Sequence, residues 1–374
     1  MSRSLRILHV MRTPVGGLFR HVIDLAVEQA NRGHAVGIIA DSSTGGENAS
    51  SKLAELSSKL ELGVSRVSMS RQVGPQDRTA LRHVSHRAQE SRADILHGHG
   101  AKGGAYARLT AGAALKVYTP HGGSLHYSAA SPIGLAYLAI ERWLRRRTDL
   151  VLFESRFSEA TFRRKIGQPR FARVVHNGVR PEELQRVSPD DDAVDFIYIG
   201  EMRRLKGVGT LLDALGRHAA DGWNGEAVLY GDGPDRRMFE EQAGRLGILH
   251  QVHFPGPSPA RKAFATGRVL TVPSWAESFP YIVLEAGAAS LPMVATNVGG
   301  IAEIFGPDAG ALIPPRSATA LADALKQARQ SVGDGPVTGR LHDRIASSFT
   351  VERMTDGVLD AYGEAQAARP DVSG

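Results

Sequence analysis

Two carboxylates, Glu277 and Glu285, stand eight positions apart in the segment 273–289, PSWAESFPYIVLEAGAA. The apolar, β-branched run 269–272 before it reads as a buried strand of a parallel sheet. A loop follows, then a helix for which Ser278 is the expected N-cap, with Pro280 near the first turn, where a missing N–H costs least. On this reading Glu277 lies at the mouth of the loop. Glu285 sits about two turns into the helix, on the order of 10 Å further along by helix rise. The unpaired N–H groups of the helix start lie between them and suit an anion. Carboxylate, anion site, carboxylate is a template for a sugar nucleotide, with sugar hydroxyls at one end, diphosphate in the middle and ribose at the other end. The plainer alternative is a buried helix with a capping acid and one satisfied Glu, and spacing alone does not separate the two.

The remaining chemistry-bearing residues fall at the ends of apolar runs. Residues 6–11, RILHVM, read as a first strand, followed by a tight turn at Gly16-Gly17 and a helical stripe of Leu18, Val22, Leu25 and Ala26. Strand, glycine turn, helix is the opening of a doubly wound α/β domain. Residues 36–40 give another strand, and the polar stretch 42–50 reads as a mobile loop. Further strands end in His97-Gly98-His99-Gly100 and in Thr119-Pro120-His121-Gly122. Parallel sheets place ligands at the carboxyl ends of their strands, which makes His97, His99 and His121 candidates. A metal reading of these three ranks below sugar or phosphate contact, because no acidic partner is near in sequence. At least one of them is expected to be a solvated loop histidine. Asn177-Gly178, Pro181, Pro189 and Asp190-Asp191-Asp192 punctuate the chain as an interdomain linker. The pattern then restarts with a strand at 196–200, a basic loop carrying Arg203, Arg204 and Lys206, and turns at Gly231-Asp232-Gly233-Pro234 and Gly299-Gly300.

The run Glu277-Ser278-Phe279-Pro280-Tyr281-Ile282-Val283-Leu284-Glu285 resembles the E-x7-E motif of retaining GT-B glycosyltransferases of family four, with Ser278 where Gly is common. The resemblance implies an α/β fold of two Rossmann-like doubly wound domains facing a central cleft. It implies that Glu277 contacts the donor sugar and Glu285 the ribose, with Ser278, Phe279 and Pro280 between them at the donor. The loop 200–207 resembles the one whose Arg and Lys hold the donor diphosphate. Glu201 stands where Arg is common, which shifts the expectation to Arg203 with Lys206 and leaves Arg204 as an alternative. Gly231, Gly233, Gly299 and Gly300 match other donor-site loops. The segment containing His121 resembles the one that approaches the donor sugar. Gly16 and Gly17 resemble the first loop, closing over donor phosphates or acceptor. Domain boundaries are expected at 1–180, plus a returning C-terminal helix at 356–374, for the acceptor domain, and at 181–355 for the donor domain.

Composition narrows the classes. There is no cysteine among the 374 residues, hence no disulfide framework, no thiolate nucleophile and no Cys-ligated metal. The only acidic cluster, Asp190-Asp191-Asp192, reads as a solvated hinge, so no metal and no cofactor beyond the nucleotide-sugar co-substrate is expected. No apolar run suits a signal peptide or a spanning helix, and a cytoplasmic protein is expected. Residues 1–180 hold 27 Lys+Arg against 13 Asp+Glu, while the rest of the chain carries a net −8. This asymmetry, the arginines 142, 145, 146 and 147, the cations 163–165 and an apolar helix face within 133–144 suggest peripheral contact with an anionic membrane. The inner face of the plasma membrane and a lipid-linked or oligosaccharide acceptor are expected, with a UDP- or GDP-linked sugar as donor. A sugar-nucleotide epimerase of the same architecture is the alternative. A nucleic-acid-binding protein would explain a pI near 9.6, but no recognition module is present and no nucleic-acid partner is expected. A nicotinamide enzyme would need G-x-G-x-x-G after the first strand, and the first turn does not supply it.

Overall fold

The computed structural model describes residues 3–123, 131–331 and 336–369. The chain divides into two compact units, 1–177 with 351–374, and 178–350.

The first unit is built on seven parallel strands: β1 (Arg6–Met11), β2 (Ala35–Asp41), β3 (Val64–Val67), β4 (Ile95–His99), β5 (Leu115–Thr119), β6 (Leu150–Phe153) and β7 (Ala172–Val174). Their order, β3-β2-β1-β4-β5-β6-β7, reverses direction beside β1, as in a doubly wound sheet. Helices α1 (Gly16–Asn31), α2 (Gly46–Ser57), α3 (Gln76–Glu90), α4 (Gly100–Leu109), α5 (Pro132–Arg145) and α6 (Arg156–Lys165) alternate with the strands. The C-terminal helix Val351–Ala367 returns to this unit and buries Met354, Val358 and Tyr362 against Ile7, Ile95, Val117 and Leu150. β2 and β6 read as nearly continuous apolar runs because both faces are covered, whereas the edge strands β3 and β7 are only partly buried.

The second unit repeats the design with five parallel strands, β8 (Val194–Ile199), β9 (Ala227–Tyr230), β10 (Val252–Gly256), β11 (Gly267–Val272) and β12 (Met293–Ala295), in the order β10-β9-β8-β11-β12. Helices α7 (Val208–Ala220), α8 (Arg236–Arg245), α9 (Ala260–Ala265), α10 (Tyr281–Ala288), α11 (Ile301–Phe305), α12 (Ala318–Gln330) and α13 (Pro336–Ser348) complete it.

Three sequence expectations need correction. The stretch 42–50 is not a mobile loop throughout: α2 begins at Gly46, and Asp41 accepts from Ser43, Thr44 and the Met69 amide, which fixes the turn before it. Residues 178–193 are not a free linker. They belong to the second unit, where the Val187 amide donates to Ala289 O and the Asp190 amide to Ala265 O. Gly16-Gly17 forms the first turn of α1 itself rather than a separate turn before it.

Candidate active site

In the second unit the segment around Glu277 connects β11 to α10. The helix starts at Tyr281 with Pro280 as its N-cap, φ −73° and ψ 126°, so Ser278 is not the cap. A proline cannot follow an α-helical residue comfortably, which delays the helix by two residues. Glu285 is therefore the fifth helical residue, little more than one turn in rather than two. The Phe279 side chain is buried in the core, 5.6 Å from the Phe349 ring. Any contact it makes with a ligand must come from its backbone.

Glu277 is buried, and Lys206 Nζ holds both of its oxygens at 2.7 and 2.9 Å. Ser274 Oγ donates to the same carboxylate at 2.7 Å. The loop carrying Lys206 lies against this segment, for the Trp275 amide donates to Leu205 O at 2.8 Å. Burial raises the Tyr198 phenol well above its ordinary value, and the charges of Glu277 and Glu201 push it the same way. Arg203 Nη2 pairs with Glu201 Oε1 at 2.9 Å on the surface. The residue that departs from the common loop pattern thus orients the arginine two positions on. Arg204 turns elsewhere, its amide on Asp235 and its guanidinium on Met238. Gly299 packs on the backbone of Glu277: at φ +60°, a Cβ there would lie 2.0 Å from Glu277 O. The Gly300 amide donates to Ser278 O at 2.7 Å. Gly231 passes equally close to Gly200 O, and the Gly233 amide is fixed by Asp232. The structure thus brings Lys206, Glu277, Ser278, Gly299 and Gly300 together.

In the first unit the strand-end histidines are not solvated. His97 and His99 are fully buried, and the His121 side chain is nearly so. They join two more, His9 on β1 and His21 on α1. Parallel pairing aligns His9 with His97 and Met11 with His99. Contacts then run in a line. Gln29 Oε1 lies 2.8 Å from His9 Nε2, and His9 Nδ1 is 3.0 Å from His99 Nε2. His99 Nδ1 is 3.0 Å from His121 Nε2, and His121 Nδ1 is 2.9 Å from Glu154 Oε1. With the Gln29 amide turned so that its N–H faces His9, the links can all donate in one direction, toward the Glu154 carboxylate. Burial lowers the His9 ring from 6.5 to about 4 and pushes His21, His97 and His99 well below 6.5. The nitrogens of His9, His97 and His99, and those of His21, His99 and His121, lie within 4.8 Å of one another, a spacing compatible with a metal ion. The 3.0 Å nitrogen pairs each need a shared proton, however, which a metal would displace. His121 itself has φ +49°, an uncommon backbone for a residue with a Cβ.

Sequence reading missed His9, His21, Gln29 and Glu154. One signal was available: Ile-Leu-His occurs at 7–9 and again at 95–97, which in neighbouring parallel strands stacks the two histidines. Glu154 lies 33 positions beyond His121 and had no such mark.

Among known proteins, the family described as "Glycosyltransferase Family 4" matches residues 15–183 and "Glycosyl transferases group 1" matches residues 193–331. The chain is 27% identical over 286 residues to a putative teichuronic acid biosynthesis glycosyltransferase, TuaC, of Bacillus subtilis, covering 72% of this chain and 70% of the relative. It is 30% identical to a D-inositol 3-phosphate glycosyltransferase of Paenarthrobacter aurescens over 54% of this chain, spanning 49% of that relative. In structure it resembles sucrose-phosphate synthase of Thermosynechococcus elongatus, with a TM-score of 0.81 at 19% identity over 97% of this chain and all of the other. It also resembles Alr3699/HepE of Anabaena, solved in complex with UDP-glucose, with a TM-score of 0.78 at 19% identity over 96% of this chain and all of the other. With two Rossmann-like sheets, the E-x7-E segment on the second and both family matches in register with them, the chain belongs to the group 1, family four glycosyltransferases of the GT-B fold.

Proposed function

We propose that the protein moves a hexose from a UDP- or GDP-linked sugar, with retention of configuration and without a metal, to a glycan or lipid-linked acceptor in cell-surface polysaccharide synthesis. The observation that carries this reading is the Lys206–Glu277 pair beside the start of α10. An ammonium has three donors, and two are spent on Glu277, which leaves one for a phosphate oxygen. Arg203 and the first N–H groups of α10 add positive potential to the same anion. In the transfer, the bond from the anomeric carbon to the diphosphate oxygen breaks. The acceptor oxygen bonds to that carbon on the same face, and the acceptor proton passes to the departing phosphate oxygen. No protein base is required. The glycan class is supported by the name of the Bacillus relative, and the donor class by the UDP-glucose complex of the Anabaena protein.

Contact with an anionic membrane, at the inner face of the plasma membrane, forms part of the proposal. No helix among the described residues is long and apolar enough to cross a membrane. On α5, Ile133 is 67% exposed, Ile140 42% and Trp143 48%, with the Arg147 guanidinium 4.6 Å over the Trp143 ring. Apolar side chains flanked by arginines are the makeup of an interfacial helix.

The test is a thermal-shift panel of UDP-, GDP- and ADP-sugars, followed by transfer with the stabilising donor in EDTA and determination of the product's anomeric configuration. A retained anomer formed at full rate in EDTA supports the reading. An inverted product, or a complete need for Mg²⁺, overturns it.

A further inference from the structure

Within the first unit a pocket of about 510 Å³ opens between α4 and α5 and reaches His99 and His121. That volume falls within the range of small-molecule sites. Its body is apolar, built by Leu18, Leu109, Tyr137, Ile140, Trp143 and Leu144. On the opposite wall only the small side chains of Ala101 and Ala105 face the pocket, while Gly103 and Gly104 on the other side of α4 pack directly on Val10 and Tyr118.

The charges around it do not cancel. Lys102 Nζ holds both oxygens of Asp77 at 2.6 and 2.7 Å, and Tyr106 donates to the same carboxylate, so that pair is neutral. Glu141 at the floor is matched by the fully buried Arg108, through contacts of 2.9 and 3.2 Å. Burial holds the His99 ring well below 6.5 and therefore uncharged at neutral pH. Two lining cations remain. Arg12 donates only to Thr13 Oγ1, and Arg71 is exposed; neither meets a carboxylate among the described residues.

We propose that this pocket is a slot for an isoprenyl diphosphate: the chain lies along the α4–α5 wall, and the diphosphate meets Arg12 and Arg71 beside His121. The proposal rests on the lipid-linked acceptor reading above and names the site that takes the lipid. Three observations fit this occupant. The lining is mostly apolar, its ion pairs Lys102–Asp77 and Arg108–Glu141 are matched, and Arg12 and Arg71 are its lining cations without a carboxylate among the described residues. Its size suits one chain. Ile140 and Trp143 belong both to the slot wall and to the exposed face of α5, so a chain passes from a bilayer into the slot without crossing water.

The experiment is calorimetric titration of the full chain with farnesyl diphosphate, farnesol, inorganic diphosphate and dihexanoyl-phosphatidylglycerol, with no transfer reaction involved. Farnesyl diphosphate is expected to bind at least tenfold tighter than each of the other three. Ile140→Asp places a charge on an exposed part of the wall, where folding does not depend on it, and should weaken farnesyl diphosphate at least tenfold. Ala105→Phe, which fills the slot, should do the same. Arg71→Ala should weaken farnesyl diphosphate and leave farnesol unchanged. Far-ultraviolet circular dichroism and the thermal unfolding of each variant serve as the control for folding of the first unit, which carries all three substitutions. Equal binding of inorganic diphosphate or of the phospholipid, or three variants that bind farnesyl diphosphate like the parent, overturns the slot. Because no turnover is measured, that result leaves the transferase reading intact. Loss of the transferase reading, through absence of nucleotide-sugar binding, leaves the titration of the slot equally readable.

Discussion

His121 Nδ1 lies 2.9 Å from Glu154 Oε1, while its Nε2 lies 3.0 Å from His99 Nδ1, so neither ring nitrogen of His121 is open to a substrate without breaking a buried contact. The arrangement holds the ring and, through it, a backbone at φ +49°. If His121 approaches the donor sugar, Glu154 and His99 act by positioning it.

Glu154→Ala should therefore lower kcat/KM by about tenfold, on the order of 1.4 kcal/mol, with the fall mostly in kcat. Glu154→Gln keeps an acceptor oxygen for the Nδ1 proton and should recover most of the rate. Steady-state kinetics of the two variants decide it; equal losses in both would count against positioning through the hydrogen bond.

Glu277→Gln should abolish transfer, with a loss of at least about 100-fold, while nucleotide-sugar binding persists. The structure adds a second reason beyond the sugar contact that the family resemblance implies. Glu277 is the partner of Lys206, whose side chain is 31% exposed, and the substitution removes the charge that orients it. A double-mutant cycle with Lys206→Ala should show coupling, small in free energy because water screens the lysine. Additive losses would mean that the pair does not act together.

Glu285→Ala should act on binding rather than on turnover, weakening the nucleotide sugar by roughly 1–3 kcal/mol if charged hydrogen bonds to ribose are lost. Titration with UDP-glucose reads this directly. A variant with unchanged affinity and reduced kcat would move Glu285 from the ribose to the reacting end.

The central strands of both sheets were legible in the chain because they are apolar runs with turns marked by glycine, as at 196–200 and 231–234; β3 and β10 were not, because polar residues and a proline interrupt them and they are only partly buried. The Glu277 to Gly300 contacts were half legible: spacing gave the carboxylates and the loops, but not that Gly299 would press on the Glu277 backbone. Helix starts were misread at Ser278, where a good capping residue is overridden by the proline two positions later. The histidine line was not legible, since its members come from α1, β1, β4, the loop after β5 and the residue after β6. Sequence separation hides what parallel register brings together.

That line makes a pH prediction whose sign follows from burial. His9 falls from 6.5 to about 4, and His21, His97 and His99 fall well below 6.5, in each case chiefly through desolvation. No titration of the native rings is then expected near pH 6, whereas the unfolded rings bind protons below 6.5. Groups with a lowered folded pKa contribute stability that is present above the unfolded value and is lost as pH falls toward the folded one. The groups facing them do not reverse this: the Glu154 carboxylate lies at the far end of the line, behind His121, and Gln29, Asn177, Thr119 and Tyr362 are uncharged partners. Each such ring contributes a slope of up to about 1.4 kcal/mol per pH unit. Urea unfolding of the full chain, followed between pH 6.5 and 5 above the range where most carboxylates titrate, should show the first unit losing stability steeply. His9→Phe should reduce that slope by about one proton's worth. A first unit equally stable at pH 6.5 and pH 5 would mean that the buried rings accept protons in place.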